Sequence, residues 1–246
     1  MHFHLILDFG NTSLKAYLFG DNHIVRSGFL NDPSSATIRS FVGKDSINAC
    51  VLASVIPHPE KLRRELQKEF PVLELGPGIP LPLKNMYGTP DTLGYDRLAA
   101  AIGARQLFPS GPVLAVVTGT CITYNIINAD NQFIGGAIAP GLRMRIRAMH
   151  EFTAKLPMVE LHDQVPLTGT TTEESLQSGT VNGCVAELKG MTEQYALQYP
   201  GLQSVVGGGD AAFLAKAAKS GIFARPELVA EGLNSILNYH VEKQLL

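Results

Sequence analysis

The chain has 246 residues, of which 45% are apolar, 17% are charged and 7% are aromatic, and it contains no Trp. Lys and Arg number 20 and Asp and Glu number 22, so the formal net charge is −2. This balance leaves no overall field to attract nucleic acid or anionic lipid, and 24 Gly with 15 Pro are too few for a fibrous or low-complexity protein. One domain or two small ones fit this length.

The cysteines and the apolar runs indicate where the protein works. Cys50, Cys121 and Cys184 stand far apart among apolar neighbours, without the spacing of metal ligands, so we expect reduced core side chains. No uninterrupted apolar run approaches the ~20 residues of a membrane-spanning helix. Asp8 interrupts the first apolar run too early for a signal peptide. We therefore expect a cytoplasmic protein with neither a membrane nor a nucleic acid as partner.

The first half of the chain is predicted to begin with an antiparallel meander of three short strands. Its turn signal is Gly20-Asp21-Asn22, between the second strand and the third. In chain order the predicted elements are strands at 3–7, 14–19, 23–26 and 50–56, a helix at 60–70, a strand at 72–75, a Gly- and Pro-rich loop at 76–90 and a helix at 92–107.

The second half opens at Gly111-Pro112 and starts on the same plan. Its predicted elements are strands at 113–117, 122–127 and 133–139, helices at 141–153 and 171–196, a strand at 203–206, and helices at 210–220 and 226–243. Both halves thus begin with strand, Gly-Thr turn, strand, turn, strand, which suggests a duplicated unit. Gly-Thr hairpins are also common by chance.

The first turn could bind phosphate. Asp8 ends the first strand, a turn of Gly10, Asn11 and Thr12 follows, and Lys15 lies on the next strand. Glycine lets phosphate oxygens approach backbone N–H groups, and a carboxylate beside them can hold Mg²⁺. The alternative is a plain hairpin in which Asp8 caps the turn and Lys15 is solvated.

The second turn, Gly119-Thr120, would supply a facing phosphate turn. It carries Val117 at the position that matches Asp8 of the first turn, so a metal ion would depend on Asp8.

A third motif, Gly94-Tyr95-Asp96-Arg97, lies in the first turns of the predicted helix at 92–107, after the loop that contains Tyr87. Adjacent Asp and Arg point in different directions on a helix, so they are poorly placed to pair. Asp96 could act as a base while Arg97 binds an anionic substrate. The alternative is an acid favoured by the helix N-terminus beside a surface arginine.

A fourth motif, Gly207-Gly208-Gly209-Asp210, leads from an apolar strand into an Ala-rich helix. A glycine turn at a helix N-terminus suits a nucleoside or a phosphate. A flexible connection with Asp210 as the N-cap explains it as well.

In their order along nearly the whole chain, these motifs resemble the type III pantothenate kinase family of the acetate and sugar kinase/Hsc70/actin superfamily. The resemblance is carried by Asp8-x-Gly10-Asn11-Thr12-x-x-Lys15, Ser54-Val55-Ile56-Pro57, Gly94-x-Asp96-Arg97, Gly119-Thr120-x-x-Thr123, Gly135-Gly136-x-Ile138-x-Pro140-Gly141, Thr153-Ala154-x-Leu156-Pro157, Thr172-Glu173-Glu174 and Gly207-Gly208-Gly209-Asp210. It implies an α/β fold of two ribonuclease H-like lobes, which are duplicated βββαβα-type units. We place an N-terminal ATPase-like lobe at residues 1–110 and a C-terminal one, with dimerisation helices, at 111–246.

The resemblance also implies a function. A homodimer would transfer the γ-phosphate of ATP to the 4′-hydroxyl of pantothenate in the first step of coenzyme A biosynthesis. Asp96 would be the general base, and Asp8 would hold Mg²⁺ or another divalent cation. The residues implied to bind pantothenate are Tyr87, Gly94, Tyr95, Arg97 and Thr172. Those implied to bind ATP are Asp8, Phe9, Gly10, Asn11, Thr12, Ser13, Leu14, Lys15, Gly119 and Thr120.

The chain departs from the family pattern at Val117. The family usually has Asp-x-Gly-Thr in the second turn, and that acid belongs to a K⁺ or NH₄⁺ site; Asn125 likewise stands where an acid is frequent. We therefore expect weak or absent activation by K⁺. Two other functions stay open: an inactive accessory or regulatory protein of the same family, and a kinase of another small hydroxy acid.

Overall fold

The first half of the chain folds around a five-stranded mixed sheet. The computed structural model describes residues 3–10, 14–54, 60–76, 78–219 and 221–246. The strands are β1 (Phe3–Phe9), β2 (Leu14–Gly20), β3 (His23–Leu30), β4 (Ile47–Ser54) and β5 (Val72–Glu74), in the order β3-β2-β1-β4-β5. The first three are antiparallel, as predicted, and β4 and β5 run parallel to β1.

The β2–β3 turn follows its prediction. Asp21 and Asn22 take φ angles of 47° and 70°, the left-handed conformation that short polar side chains tolerate in two-residue hairpins.

The helices of this half are α1 (Ser35–Val42), α2 (Glu60–Leu66) and α3 (Tyr95–Leu107), and a two-residue strand β6 (Lys84–Asn85) and a 3-10 turn (Pro90–Thr92) precede α3. Helices α1 and α2 pack on the sheet through the residues Leu5, Leu7, Phe9, Ala16, Ile38, Val42, Cys50, Leu52, Leu62 and Leu66. Helix α1 was not predicted. Its signals are the cap at Ser34, whose Oγ accepts a hydrogen bond from the Thr37 N–H at 3.2 Å, and two buried residues one turn apart, Ile38 and Val42.

The second half repeats the plan of the first. Its elements are β7 (Val113–Thr118), β8 (Cys121–Ile127), β9 (Gln132–Pro140), α4 (Leu142–Glu151), α5 (Thr172–Gln198), β10 (Gln203–Gly207), α6 (Ala211–Ala218) and α7 (Leu228–Glu242). Strands β7, β8 and β9 form an antiparallel meander, and β10 lies parallel to β7 on its other side. A fourth strand beside the first strand of a meander therefore occurs twice, which confirms the predicted duplicated fold.

The described residues divide into two compact units, Met1–Gly103 with Ala230–Leu246, and Ala104–Val229. The predicted lobes, 1–110 and 111–246, differ from these units chiefly in the C-terminal segment. Within the first unit, a Cβ atom on Gly232 of α7 would lie 1.8 Å from the Ala99 carbonyl oxygen of α3. The two helices therefore cross at backbone contact, and this crossing ties α7 to the first unit.

Cysteine burial follows the expectation at two of three positions. All three cysteines are free thiols; Cys50 and Cys184 are buried, and Cys121 is half-buried. None of the helices formed by the described residues is long and apolar enough to cross a membrane.

Candidate active site

Asp8 lies near the carboxyl end of β1, directly opposite Lys15 of β2. Burial raises the pKa of the Asp8 carboxyl from 3.8 to about 6; the charge of Lys15 opposes this rise, and the charge of Asp96 adds to it. The carboxylate of Asp8 is therefore close enough to Asp96 for their charges to interact. A nearby cation stabilises the charged form of a carboxylate that is shielded from water and lies next to another acid.

Asp96 is the second residue of α3, and its carboxylate is held in place by the backbone around it. Its Oδ1 accepts a hydrogen bond from the Arg97 N–H at 2.9 Å. A Cβ atom on Gly94 would lie 2.4 Å from the same oxygen, so only glycine leaves room for this orientation. Burial raises the pKa of Asp96 above its usual range, while the Arg97 N–H and the Arg97 charge oppose the rise.

Arg97 is not the surface arginine of the alternative interpretation, because only 5% of it is exposed. Its guanidinium carbon lies 5.4 Å from the centre of the Tyr87 ring, a cation–π distance. Tyr87 and Arg97, predicted to bind one substrate, are thus in contact. Tyr95, the first residue of α3, is half-buried, and burial together with the charge of Asp91 raises the pKa of its hydroxyl.

The structure refines the predicted ATP-binding run. The side chains of Phe9 and Leu14 pack into the apolar core, so only their backbone groups can face a ligand. Gly10 follows β1 and Lys15 lies on β2. Asn11, Thr12 and Ser13 lie outside the described residues, as do three residues of another motif, Val55, Ile56 and Pro57.

The second turn, Gly119-Thr120, is a tight connection between β7 and β8, and the chain at Gly141 supports it. The Gly119 N–H donates to the Cys121 carbonyl at 3.0 Å, and the Gly141 N–H donates to the Thr120 carbonyl at 3.0 Å. A Cβ atom on Gly141 would lie 1.9 Å from the Gly119 carbonyl oxygen. Glycine at 141 therefore allows the start of α4 to lie directly against this turn.

The Gly207–Asp210 turn is fastened to the end of β7 rather than flexible. The Thr118 hydroxyl donates to the Gly207 carbonyl at 2.9 Å, and the Asp210 N–H donates to the Thr118 carbonyl at 3.3 Å. Gly208 has a φ of +89°, and a Cβ atom on it would lie 2.3 Å from the Thr118 carbonyl oxygen. The loops after two neighbouring parallel strands thus form one rigid edge.

Asp210 occupies the N-cap position of α6, as in the alternative interpretation, but its side chain makes no capping hydrogen bond. Its Oδ1 accepts from Arg143 Nη1 at 2.8 Å. Its Oδ2 is buried without a hydrogen-bond partner among the described residues.

Comparison with known proteins identifies the family. The family model of type III pantothenate kinase matches residues 4–194. The chain belongs to the type III pantothenate kinase family. It is 38% identical to the type III pantothenate kinase of Bacteroides fragilis over 96% of this chain and 98% of the relative, and 37% identical to that of Christiangramia forsetii with the same coverage.

Solved structures match the fold. A Baf family transcriptional activator from Campylobacter jejuni superposes with a TM-score of 0.61 at 22% identity, covering 97% of this chain and 99% of its own. A ROK family glucokinase from Streptomyces griseus gives 0.55 at 12% identity, covering 95% and 98%. At these identities the likeness concerns architecture alone. The predicted family and fold are both confirmed.

In this type III pantothenate kinase, the donor set of the first turn fits Mg²⁺. The described residues contain no cluster of three or more His, Cys, Asp or Glu side chains that could hold a metal by themselves. Mg²⁺ commonly binds through one or two carboxylates together with phosphate oxygens and water. The half-buried carboxylate of Asp8, whose pKa burial raises, has the chemistry of such a ligand.

The region of the expected K⁺ site carries no acid in this family member. Val117 lies opposite Thr123 in the β7–β8 ladder. The side-chain amide of the buried Asn125 donates to the Ala115 carbonyl and to the Thr123 hydroxyl, both at 3.1 Å. Asn125 therefore places a neutral hydrogen-bond donor, and not a carboxylate, between these two oxygens.

Thr172, predicted to bind pantothenate, is the exposed first residue of α5. The helix start is well fixed. The Thr171 hydroxyl accepts from the Glu174 N–H at 3.2 Å, and Glu174 Oε2 accepts from the Thr170 N–H at 2.7 Å. Hydrogen bonds from Thr170 lower the pKa of Glu174. Thr172 is thus presented to solvent from a rigid helix end.

Two features of the site were missed by sequence reasoning. One is the unpartnered oxygen of Asp210, which no local pattern reveals. The other is Phe29 of β3, whose ring lies 5.6 Å from the Lys15 ammonium. Counting back from the β2–β3 turn places Gly28 opposite Lys15, but a bulge at Leu18 and Phe19 shifts the register, so that Phe29 takes this place.

Proposed function

We propose that the chain transfers the γ-phosphoryl group of ATP to the 4′-hydroxyl of pantothenate, the first step of coenzyme A biosynthesis. The observation that carries this proposal is that a candidate base and a candidate anion-binding cation lie side by side at the start of α3. Asp96, a half-buried and oriented carboxylate, stands beside Arg97, a buried cation in contact with Tyr87. The same compact unit holds Asp8 and Lys15.

Asp96 is the proposed general base. The proton of the 4′-hydroxyl passes to the Asp96 carboxylate as the 4′-oxygen bonds to the γ-phosphorus and the bond to the ADP oxygen breaks. Phosphoryl transfer depends mostly on alignment and charge neutralisation, with a base near the attacking oxygen. Burial raises the pKa of Asp96 towards neutral pH. A base is more effective in proton transfer when its pKa lies near the working pH.

Arg97 is the proposed partner of the pantothenate carboxylate. A guanidinium binds a carboxylate through two parallel N–H donors, which fixes orientation as well as charge. Tyr87 supports the guanidinium from the ring face. Gly94 leaves space for the Asp96 carboxylate, and Tyr95 and Thr172 complete the proposed pantothenate set.

The proposed ATP site comprises Asp8, Phe9, Gly10, Asn11, Thr12, Ser13, Leu14, Lys15, Gly119 and Thr120. Asp8 would hold the divalent cation, and the ion would supply charge neutralisation at the β- and γ-phosphates when bound. Lys15 would add a second positive charge, and turn N–H groups other than that of Gly119, which already donates to the Cys121 carbonyl, would donate to phosphate oxygens.

Three further properties belong to the proposal. We expect a homodimer, since large apolar side chains of the second unit are exposed, among them Phe152 at 85%, Leu167 at 81% and Ile138 at 63%. A cytoplasmic location agrees with three free thiols. K⁺ or NH₄⁺ should not be required, because Val117 and Asn125 supply no carboxylate.

The deciding experiment incubates the purified chain with MgATP and pantothenate and detects 4′-phosphopantothenate by mass spectrometry. Parallel reactions replace pantothenate with pantoate or glycerate. Product from pantothenate at the highest kcat/KM supports the proposal. Faster phosphorylation of another acid would reassign the substrate, and binding of MgATP without any product would identify a non-catalytic relative.

A further inference from the structure

We propose that Phe29 is a positioning residue that holds the Lys15 ammonium in place for the phosphates of ATP. This inference rests on the proposed function, in which Lys15 binds those phosphates. It concerns a residue outside every motif by which the family resemblance was made.

The geometry places four residues in one row across the sheet. Asp8 of β1 faces Lys15 of β2, Lys15 faces Phe29 of β3, and Ala53 of β4 lies on the other side of Asp8. Directly paired residues project from the same face of a sheet and touch one another. The Lys15 side chain therefore stands between the carboxylate of Asp8 and the ring of Phe29.

The contact suits a positioning role. The Lys15 Nζ atom lies 5.6 Å from the centre of the Phe29 ring, within the range of cation–π attraction. A lysine has a long flexible stem, and a ring beside its ammonium narrows the positions it takes. The Lys15 ammonium is thus attracted from both sides, by the carboxylate of Asp8 on one side and by the ring of Phe29 on the other.

The exposure of Phe29 indicates that packing does not explain the residue. The side chain is 71% exposed on β3, the edge strand of the sheet. A large apolar side chain gains little stability there, and an exposed aromatic edge strand invites unwanted association. The bulge at Leu18 and Phe19 adds a further observation, because this irregularity brings Phe29, and not Gly28, opposite Lys15.

The test measures MgATP binding by calorimetry and steady-state kinetics for Phe29→Leu and Phe29→Tyr. Loss of the ring should raise the Kd and KM for ATP about two- to five-fold, the range of an exposed cation–π contact. The kcat and the KM for pantothenate should stay the same, and Phe29→Tyr, which keeps a ring, should behave as wild type. Phe29→Met repeats the ring removal should the leucine variant fold poorly.

Phe41→Leu is the matched control, because Phe41 lies 5.9 Å from the guanidinium of Arg26, a cation–π pair of the same unit outside the site. It should leave ATP binding unchanged. In a Lys15→Met background, Phe29→Leu should have no further effect on the Kd for MgATP. An unchanged Kd in Phe29→Leu alone, or an equal rise in both backgrounds, would overturn the inference. Because MgATP binding is measured without pantothenate, a chain that does not phosphorylate pantothenate could still show whether Phe29 affects the Kd for MgATP.

Discussion

Asp8 shows how the proposed chemistry opposes stability at a single residue. Its pKa is 3.8 in an ordinary setting and about 6 in the fold. Above pH 6 the folded protein must keep a partly buried charge that the unfolded chain exposes to water, and this destabilises the fold. Below pH 3.8 the carboxyl is protonated in both states and the difference vanishes.

We therefore predict that Asp8→Asn abolishes phosphorylation and stabilises the protein. In metal- and nucleotide-free buffer at pH 7.5, the free energy of unfolding should rise by about 1–3 kcal/mol, since the pKa is raised from 3.8 to about 6 and a pKa unit corresponds to about 1.4 kcal/mol. Urea denaturation at pH 7.5 and 4.5 measures the effect, which should shrink at the lower pH. A variant less stable at pH 7.5 would contradict the assigned burial.

Arg97 permits a second prediction at this scale. Arg97→Ala should raise the KM for pantothenate roughly 10- to 100-fold, the value of a charge-assisted hydrogen bond, and leave the Kd for ATP unchanged. Arg97→Lys keeps the charge without the paired N–H donors, so its KM for pantothenate should lie between those of the wild type and Arg97→Ala. Calorimetric titration with each substrate separates the effects. A matching loss of ATP affinity would show that Arg97 does not belong to the pantothenate side.

Residue types at the site could be predicted from the sequence, but their surroundings could not. Asp96 and Arg97 follow from a motif at a helix start. The burial of Arg97 against Tyr87 depends on how the loop before α3 folds back, which spacing does not encode. Phe29 escaped prediction because the third strand was predicted to end at residue 26, whereas β3 runs to Leu30, and because a bulge changes the strand register by one residue.

At the scale of elements, the rigid edge formed by the loops after β7 and β10 depends on one glycine. Gly208→Ala should destabilise the protein by about 2–4 kcal/mol, because it adds left-handed strain to a close contact with the Thr118 carbonyl. The neighbouring change Gly209→Ala is the control, since no described atom lies within 4 Å of its added Cβ. Chemical denaturation compares the two. Equal stabilities of the two variants would show that the contact between Gly208 and Thr118 does not stabilise the protein.

The second turn also yields the prediction about monovalent ions. Replacing K⁺ with a bulky organic cation at constant ionic strength should change kcat/KM less than about two-fold. The reason is that Asn125 already donates to the Ala115 carbonyl and Thr123 hydroxyl, while Val117 supplies no ligand. A strict K⁺ requirement in steady-state assays would refute this reading of the turn.

Elements with a strong apolar pattern were predictable, and short ones were not. Strands β1 and β7 are mostly apolar and α5 is long, so their existence followed from the sequence. Helix α1 has eight residues, which gives a short periodic signal, and is recognisable only from the cap at Ser34 together with the apolar pair Ile38 and Val42.

At the scale of the whole molecule, the duplicated plan could be predicted but the membership of the two units could not. The duplication repeats local patterns: strand, turn, strand, turn, strand. The assignment of α7 to the first unit depends on its contact with α3 at Gly232 and Ala99, which are 133 positions apart in sequence. The absence of a side chain at Gly232 permits that crossing, and the residues near Gly232 in sequence do not indicate which helix it contacts.

We propose that Asp96 of this pantothenate kinase takes the proton from the 4′-hydroxyl. The test is the single-turnover rate of 4′-phosphopantothenate formation, with enzyme in excess over MgATP and with pantothenate saturating, for wild type and Asp96→Asn. The wild type should form product, and Asp96→Asn should be slower by roughly 10²- to 10⁴-fold with MgATP affinity unchanged. Equal rates, or no product from the wild type, would contradict the claim.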